Sequence, residues 1–405
     1  MLNKRLQYML DDDPTKTLTK NGVELRKKIR PLLLFLLKLS NKQKLTIEKC
    51  EFNAKTNNRP IVYVCSHGFK DDCQNMLISA RPEGFLIFGN LDLFFNTADG
   101  TIAYLYGSQL IDRFNKTSRQ SMKAKMDHIF ELGGNVIIFP EATWNLSPNK
   151  PMLGLHWGFY ETAVKNDAII VPVMTHKVGD ECFSRVLKSI DPKEIWKDEI
   201  DVIYLKMKKY LDKARDVMMY HSEESVAYNE CFEALNGLIN KLASLIDEKS
   251  AYENKNDIKS NRLLDTIISQ IDDIITKIEL VSSKYRQLFN ELINKDDDSI
   301  KASGYRLAAR LISRVGSSRK EVVVKYVRDT MALEKVDMYE KHPDYSYMKD
   351  GKNMYEAWDE YVCDTLKGTP YFYKEEEKKC EFKDPLVEDM DEVMPWLKDK
   401  QKELK

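Results

Sequence analysis

His67 and Asp72, five residues apart in Ser66-His67-Gly68-Phe69-Lys70-Asp71-Asp72, join an imidazole that titrates near neutral pH to a carboxylate able to orient it. This is the minimum machinery for moving an acyl group onto a hydroxyl: the imidazole takes the hydroxyl proton and the carboxylate holds the ring in its working tautomer. An acyl thioester is already activated, so no covalent enzyme intermediate is required. The reaction needs a base within reach of the acceptor hydroxyl, an oriented thioester and exclusion of water. Taken alone, the spacing equally describes a surface histidine capped by an aspartate. Cys65, two residues before His67, is a second candidate nucleophile if both face the same side. His128, His156, His176, His221 and His342 show no ligand spacing, so no metal and no tightly bound cofactor are expected.

The elements that must position this pair are legible in the apolar runs. Ile61–Cys65, Phe85–Phe88, Val136–Phe139 and Ala168–Met174 are short, aromatic or β-branched segments of the kind that form buried strands. Between the second and third, Ser118–Leu132 carries Met122, Met126, Ile129 and Phe130 at helical spacing and stops at Gly133-Gly134. A further helix is expected over Met152–Asn166. The alternation predicts an α/β core with a mixed, largely parallel sheet flanked by helices, and active residues in loops at the carboxyl ends of the strands. His67 follows the first strand and Glu141 the third.

The 405 residues are 43% hydrophobic and carry 63 Lys/Arg against 64 Asp/Glu, which describes a folded chain with room for more than one domain. The near-zero balance conceals an asymmetry: residues 1–60 hold 14 basic against 6 acidic residues, and residues 335–405 hold 13 against 19. The longest apolar run, Pro31–Leu37, is flanked by Lys27, Lys28, Arg30 and Lys38. It is too short to span a bilayer but suits a helix lying in an anionic interface, its cations snorkelling; a buried core helix is the alternative. The 7 cysteines have no CxxC spacing and no signal peptide precedes them, which points to free thiols in a reducing cytoplasm.

Beyond Pro192 the character changes. No proline occurs from 193 to 342, and Leu264, Ile271, Ile278, Tyr285 and Leu292 recur at sevens, interleaved with Ile267, Ile274, Val281 and Leu288. These heptads predict long packed helices, folded on themselves as a hairpin through a turn at 254–260. The expected organisation is a basic helical membrane-surface segment over 1–59, a catalytic core over 60–192, a helical hairpin or coiled-coil-like insertion over 193–325, and an acidic, aromatic-rich C-terminal tail over 326–405 packing on the core. The acidity of that tail argues against nucleic acid. The insertion offers a surface for a protein partner or self-association.

Four blocks occur in fixed order: Ser66-His67-x4-Asp72, Gly107-Ser108-Gln109-Leu110-Ile111-Asp112-Arg113, Ile138-Phe139-Pro140-Glu141-Ala142-Thr143-Trp144 and Ile170-Val171-Pro172-Val173. This order resembles the lysophospholipid acyltransferase family, whose bacterial-type members are 1-acyl-sn-glycerol-3-phosphate acyltransferases, over roughly residues 25–180. The resemblance implies a glycerol-phosphate acyltransferase-like fold and a peripheral enzyme at the cytoplasmic face of the cell membrane. That enzyme would move a fatty acyl group from acyl-CoA or acyl carrier protein to a lysophospholipid, 1-acyl-sn-glycerol-3-phosphate first among acceptors. It implies His67 as general base, Asp72 as its orienting partner, Arg113 as the grip on the acceptor phosphate, and Glu141 and Thr143 on the acceptor side. Two positions depart from the family pattern: Ala142 stands for the usual glycine and Trp144 for the usual arginine. The lost arginine removes a cation from the phosphate site, for which Lys70, Lys116 or Lys150 could substitute, and Trp144 could wall an acyl chain or stack. Glycerol-3-phosphate, a non-phosphate lysolipid, and a catalytically inactive lipid-binding scaffold are the alternatives this leaves open.

Overall fold

The computed structural model describes residues 9, 11, 13–69, 71–89, 98–112, 115–142, 144–145, 151–221, 226–253, 255, 258–291 and 300–343, with two short strands at 373–374 and 379–380. The chain divides into two units, one formed by residues 1–191 with 327–405, the other by 192–326.

The first unit is built on a seven-stranded sheet. Its strands are β1 (Lys44–Cys50), β2 (Ile61–Cys65), β3 (Gly84–Gly89), β4 (Ser108–Ile111), β5 (Asn135–Ile138), β6 (Ile169–Val178) and β7 (Glu181–Val186), in the order β1-β7-β6-β2-β5-β3-β4. Every neighbouring pair is parallel except the β6–β7 hairpin. The fold is therefore the mixed, largely parallel α/β sheet expected from the alternation of elements. The four strands read from the apolar runs are its centre; β1, β4 and β7 are additional. Their sequences lack continuous apolar runs: β1 interleaves charges, β4 is four residues, and β7 carries Arg185.

Alternate residues of the central strands feed opposite faces. Tyr63, Cys65, Leu86, Ile137, Val171 and Val173 pack on one side with Leu33, Leu37 and Met76. Phe85, Ile87 and Val136 pack on the other with Met122, Met126 and Ile129. The helices supplying those partners are α1 (Lys20–Ser40), α2 (Asp72–Ala80) and α4 (Lys116–Glu131), with α3 (Ala98–Gly107) between the last two and α5 (Gly158–Lys165) following β5. Both faces are covered, which is why these strands read as unbroken apolar runs. The helix expected over Met152–Asn166 begins only at Gly158. Residues 151–157 run irregularly because the amides of Leu153 and His156 are engaged by the Glu141 carboxylate and the Pro140 carbonyl.

Two expectations for the N-terminal 59 residues are corrected. Residues 44–50 form strand β1 and not part of a helical segment. Arg30 is not a snorkelling cation: it is 3% exposed, donates to the Gly84 carbonyl at 2.9 Å, and lies over the Phe85 and Tyr106 rings. Leu33 and Leu37 join the core, while Leu25, Leu32, Phe35, Leu36 and Leu39 are exposed. Thus α1 presents two apolar faces, one docked and one bare. No described helix is long and apolar enough to cross a membrane.

The second unit is helical: α6 (Pro192–Asp198), α7 (Ile200–His221), α8 (Val226–Glu253), α9 (Ile258–Glu291), α10 (Ile300–Val315) and the first part of α11 (Ser318–Lys341). α8 and α9 pack on each other as the expected hairpin. The buried stripe of α9 is Ile267, Ile271, Ile275, Ile278, Ser282, Tyr285 and Phe289. It keeps the repeat of seven at Ile271, Ile278 and Tyr285, while the second seam, Ile275, Ser282 and Phe289, runs one residue past the expected Ile274, Val281 and Leu288, since residues three and four along a helix share a face and packing decides which is buried.

From Val327 onward α11 belongs to the first unit. There Arg185 of β7, 1% exposed, meets Glu48 of β1 at 2.7 Å, Glu334 at 2.7 Å and Asp337 at 2.6 Å. His342 adds a bond to Glu48 and stacks on Phe183 at 3.5 Å. The aromatic tail expected to pack on the core lies, beyond residue 343 and apart from the strand pair at 373–374 and 379–380, outside the described residues. Removing one partner from such a cluster strands the remaining charges. Arg185→Met should therefore lower the unfolding free energy by about 3 kcal/mol, read from urea denaturation followed by circular dichroism, whereas Glu334→Gln should cost less because Glu48 and Asp337 remain.

Candidate active site

The site is a consequence of register. β2 lies between β5 and β6, and its pairing with β5 ends at Val64 opposite Ile138. Continued three residues past the strands, the same register sets His67 against Glu141. The His67 main-chain N–H indeed donates to Glu141 Oε1 at 2.9 Å, and the Leu153 N–H donates to Oε2 at 2.9 Å. On the other flank the Ser66 N–H donates to the Val173 carbonyl and the Thr175 N–H to Ser66 Oγ, both at 3.0 Å. The Asn145 N–H closes the arrangement on the His67 carbonyl at 2.6 Å. The histidine's backbone is thus fixed from both sides before its ring is considered.

The ring is oriented by Asp72, the first residue of α2. Asp72 is fully buried, and its Oδ2 accepts from His67 Nδ1 at 2.8 Å, from the Gly68 N–H at 2.8 Å and from the Phe69 N–H at 3.3 Å. The five-residue spacing is the length of chain needed to leave β2, turn, and return a first-turn carboxylate onto the histidine. With the proton on Nδ1, shared with the carboxylate, Nε2 carries the lone pair. The His67 side chain is 24% exposed against 1% for Asp72, so the ring remains accessible while its anchor is dry. Phe139 and Trp144 flank the imidazole, with ring centroids at 4.9 and 6.0 Å. The Gly68 and Phe69 amides just before α2 are engaged by Asp72.

Glu141, expected on the acceptor side, is 1% exposed, and both its oxygens accept main-chain hydrogens. It is a clamp between the β2 and β5 loops. Burial raises its carboxyl above the usual range, opposed by the Leu153 and His67 amides and by the charges of Lys335 and His67. Trp144, which could wall an acyl chain or stack, lies beside His67. Arg113 and Thr143 lie outside the described residues, as do Lys70 and Lys150; Lys116 is exposed at the start of α4. Cys65 is buried, and desolvation, ahead of the nearby Cys73 and Asp72, pushes its thiol well up, which disfavours a thiolate nucleophile. Among the described residues no group of three or more His, Cys, Asp or Glu could hold a metal ion.

Sequence reasoning missed Lys335, whose ammonium lies within electrostatic reach of Glu141 and Asp72. No local signal marks it, since one lysine among the 63 basic residues of the chain looks like any other until α11 folds back onto the sheet. Ala142, in contrast, explains its own departure from pattern. Its φ is +57°, the left-handed conformation that favours glycine, so the backbone geometry is kept although the residue is not.

Residues 42–176 match the family model for acyltransferases. Among solved structures the chain is similar to the 1-acyl-sn-glycerophosphate (LPA) acyltransferase PlsC from Thermotoga maritima, at 16% identity with a TM-score of 0.33 over 46% of this chain and 76% of that one. No curated protein matches it. Because an L side chain at the Ala142 conformation is strained, Ala142→Gly should raise the unfolding free energy by roughly 0.5–1 kcal/mol, seen as a higher urea midpoint with an unchanged slope.

Proposed function

We propose that this acyltransferase-family domain transfers a fatty acyl group from acyl-CoA or acyl carrier protein to the free hydroxyl of a lysophospholipid, with 1-acyl-sn-glycerol-3-phosphate as acceptor and phosphatidic acid as product. The observation that carries this reading is the 2.8 Å bond from His67 Nδ1 to the buried Asp72 carboxylate, beneath an accessible imidazole edge. In the reaction, Nε2 of His67 takes the acceptor hydroxyl proton as the oxygen bonds to the thioester carbonyl carbon. The tetrahedral intermediate collapses by breaking the carbon–sulfur bond, and the imidazolium returns its proton to the departing thiolate. Asp72 stabilises the imidazolium without itself taking the proton. Phe139 and Trp144 form an apolar wall that excludes water competing for the thioester. Arg113 is assigned to the acceptor phosphate on the strength of its place in the second block.

Trp144 favours a second reading. An indole 6.0 Å from the base, where the family pattern has a cation, suits an acceptor recognised by apolar contact, such as a lysolipid without a terminal phosphate. The two readings share the chemistry and separate on the acceptor. The bare face of α1 supports a peripheral position on an anionic bilayer at the cytoplasmic side, since Leu32, Phe35, Leu36 and Leu39 are exposed beside Lys28 and Lys38.

His67→Ala should lower ester formation at least 10²-fold while leaving the circular dichroism spectrum unchanged; comparable transfer by the variant rules out His67 as the base. A panel of lysolipids assayed with Arg113→Ala decides the acceptor. A raised KM for phosphate-bearing acceptors alone supports the first reading, and indifference to phosphate supports the second. Deleting α1 would cut into the core through Leu33 and Leu37, so the membrane assignment is tested by changing Leu32, Phe35, Leu36 and Leu39 to glutamine. Flotation with anionic vesicles should fall and the melting temperature should hold.

A further inference from the structure

Lys335 is the buried charge that this reaction scheme leaves unused. It lies in the part of α11 that belongs to the same unit as the sheet, is 5% exposed, and its Nζ donates to the main-chain carbonyl of Thr175 in β6. The Thr175 N–H donates in turn to Ser66 Oγ at 3.0 Å, so the lysine grips the strand that is tied to the residue preceding His67. An ammonium is strongly hydrated in water and offers three donors, so its burial needs compensating charge.

The groups facing it come from several elements: Glu141 after β5, Asp72 at the start of α2 and Cys182 in β7. The Tyr339 ring, one turn along its own helix, has its centroid 5.6 Å from Nζ. Cys65 and Cys73 flank Asp72, but burial keeps both thiols protonated. The neighbouring charges Glu48, Glu334, Asp337 and Arg185 are engaged with one another. Lys335 is therefore the fixed cation shared by the two carboxylates that hold His67. Asp72 needs it in particular, because its Oδ1 is buried with no hydrogen-bond donor among the described residues.

We propose that Lys335 is a positioning residue of the active site, the buried cation that faces the Glu141 and Asp72 carboxylates and, through the Thr175 carbonyl, grips the strand tied to Ser66 beside His67. The proposal rests on the assignment of His67 as the base. Without the ammonium, two buried carboxylates would lose the cation that faces them among the described residues, and one would take up a proton. Glu141 is the candidate, since burial already raises its proton affinity and Lys335 opposes that rise. A protonated carboxyl has one oxygen bearing hydrogen, which no longer accepts an amide, and one side of the clamp on His67 opens. The pairing is reciprocal: burial pulls the Lys335 ammonium down, and Glu141 and Asp72 hold it up.

The test compares wild type with Lys335→Gln, which keeps a donor for the Thr175 carbonyl without the charge, and Lys335→Arg, which keeps the charge. Activity requires ionised Glu141, so it is lost as pH falls through that titration, and losing the cation raises the point of loss. Lys335→Gln should move the acid limb of the kcat profile up by about one pH unit, with activity recovering on the alkaline side. At pH 7 its infrared spectrum should show a stronger protonated-carboxyl band than wild type, and adding Glu141→Gln should remove the increase. Lys335→Arg should return both readouts toward wild type. The infrared band needs no turnover, so it answers for Lys335 even if the chain transfers no acyl group. A profile that only scales down, with no change in the carboxyl band, overturns the proposal. The uncharged pair Glu141→Gln with Lys335→Met should be more stable than Lys335→Met alone. If that double variant is no more stable than the single one, or if neither it nor Lys335→Gln folds, the lysine is a core contact only and the proposal fails.

Discussion

The parallel pairing of β2 with β5 is the constraint from which the rest of the site follows. Parallel neighbours end at the same edge of a sheet, so the residues that leave them enter the same space. Val64 opposite Ile138 puts His67 opposite Glu141 without further adjustment, and the bond between them converts that adjacency into a fixed distance. β6 on the other side of β2 contributes the Val173 carbonyl and the Thr175 amide, which hold Ser66. The chain at Ser66 and His67 is therefore held from the ends of both neighbouring strands, and Asp72 orients the His67 ring.

That arrangement places ionisable groups where water cannot reach them. Asp72 and Glu141 are each almost wholly buried, and a buried carboxylate without donors or a counter-charge is strongly disfavoured. The local main chain supplies part of the compensation: Asp72 takes two amides as well as the imidazole, and Glu141 takes two amides. The cation that faces them, Lys335, arrives from a helix distant in sequence. The electrostatics around His67 thus couple the N-terminal half of the chain to its last described helix. The same helix also anchors Arg185 through Glu334 and Asp337.

The first helix shows how one element can serve two surfaces. Leu33, Leu37 and Arg30 hold it to the sheet, while Leu32, Phe35, Leu36 and Leu39 stay exposed on the opposite side. An apolar run flanked by cations does not by itself distinguish a core helix from an interfacial one, and here both descriptions apply to different faces of one helix. Arg30 turned inward because its guanidinium finds the Gly84 carbonyl and two aromatic faces, partners that a linear reading cannot place beside it.

Period and spacing were enough, from the residues alone, to reveal the sheet's central strands, the helical hairpin, and the histidine–aspartate pair at a strand end. Continuous apolar runs mean burial on both faces, and a five-residue return to a helix start is a local geometry. Strands β1 and β7, on one side of the sheet, were illegible because their charges read as loop until partners such as Glu334 and Glu48 are supplied. The second seam of α9 lay one residue from its expected place because residues three and four along a helix share a face, and only packing decides which is buried. Ala142 looked like a lapse from pattern until its positive φ showed the backbone to be unchanged. Only the tertiary structure turned Glu141 from an acceptor-side residue into an inward clamp, and only it brought Lys335 to the site. Both depend on contacts between residues far apart in the chain, and such contacts leave no trace in local composition because they are set by the register of strands and the docking of a helix.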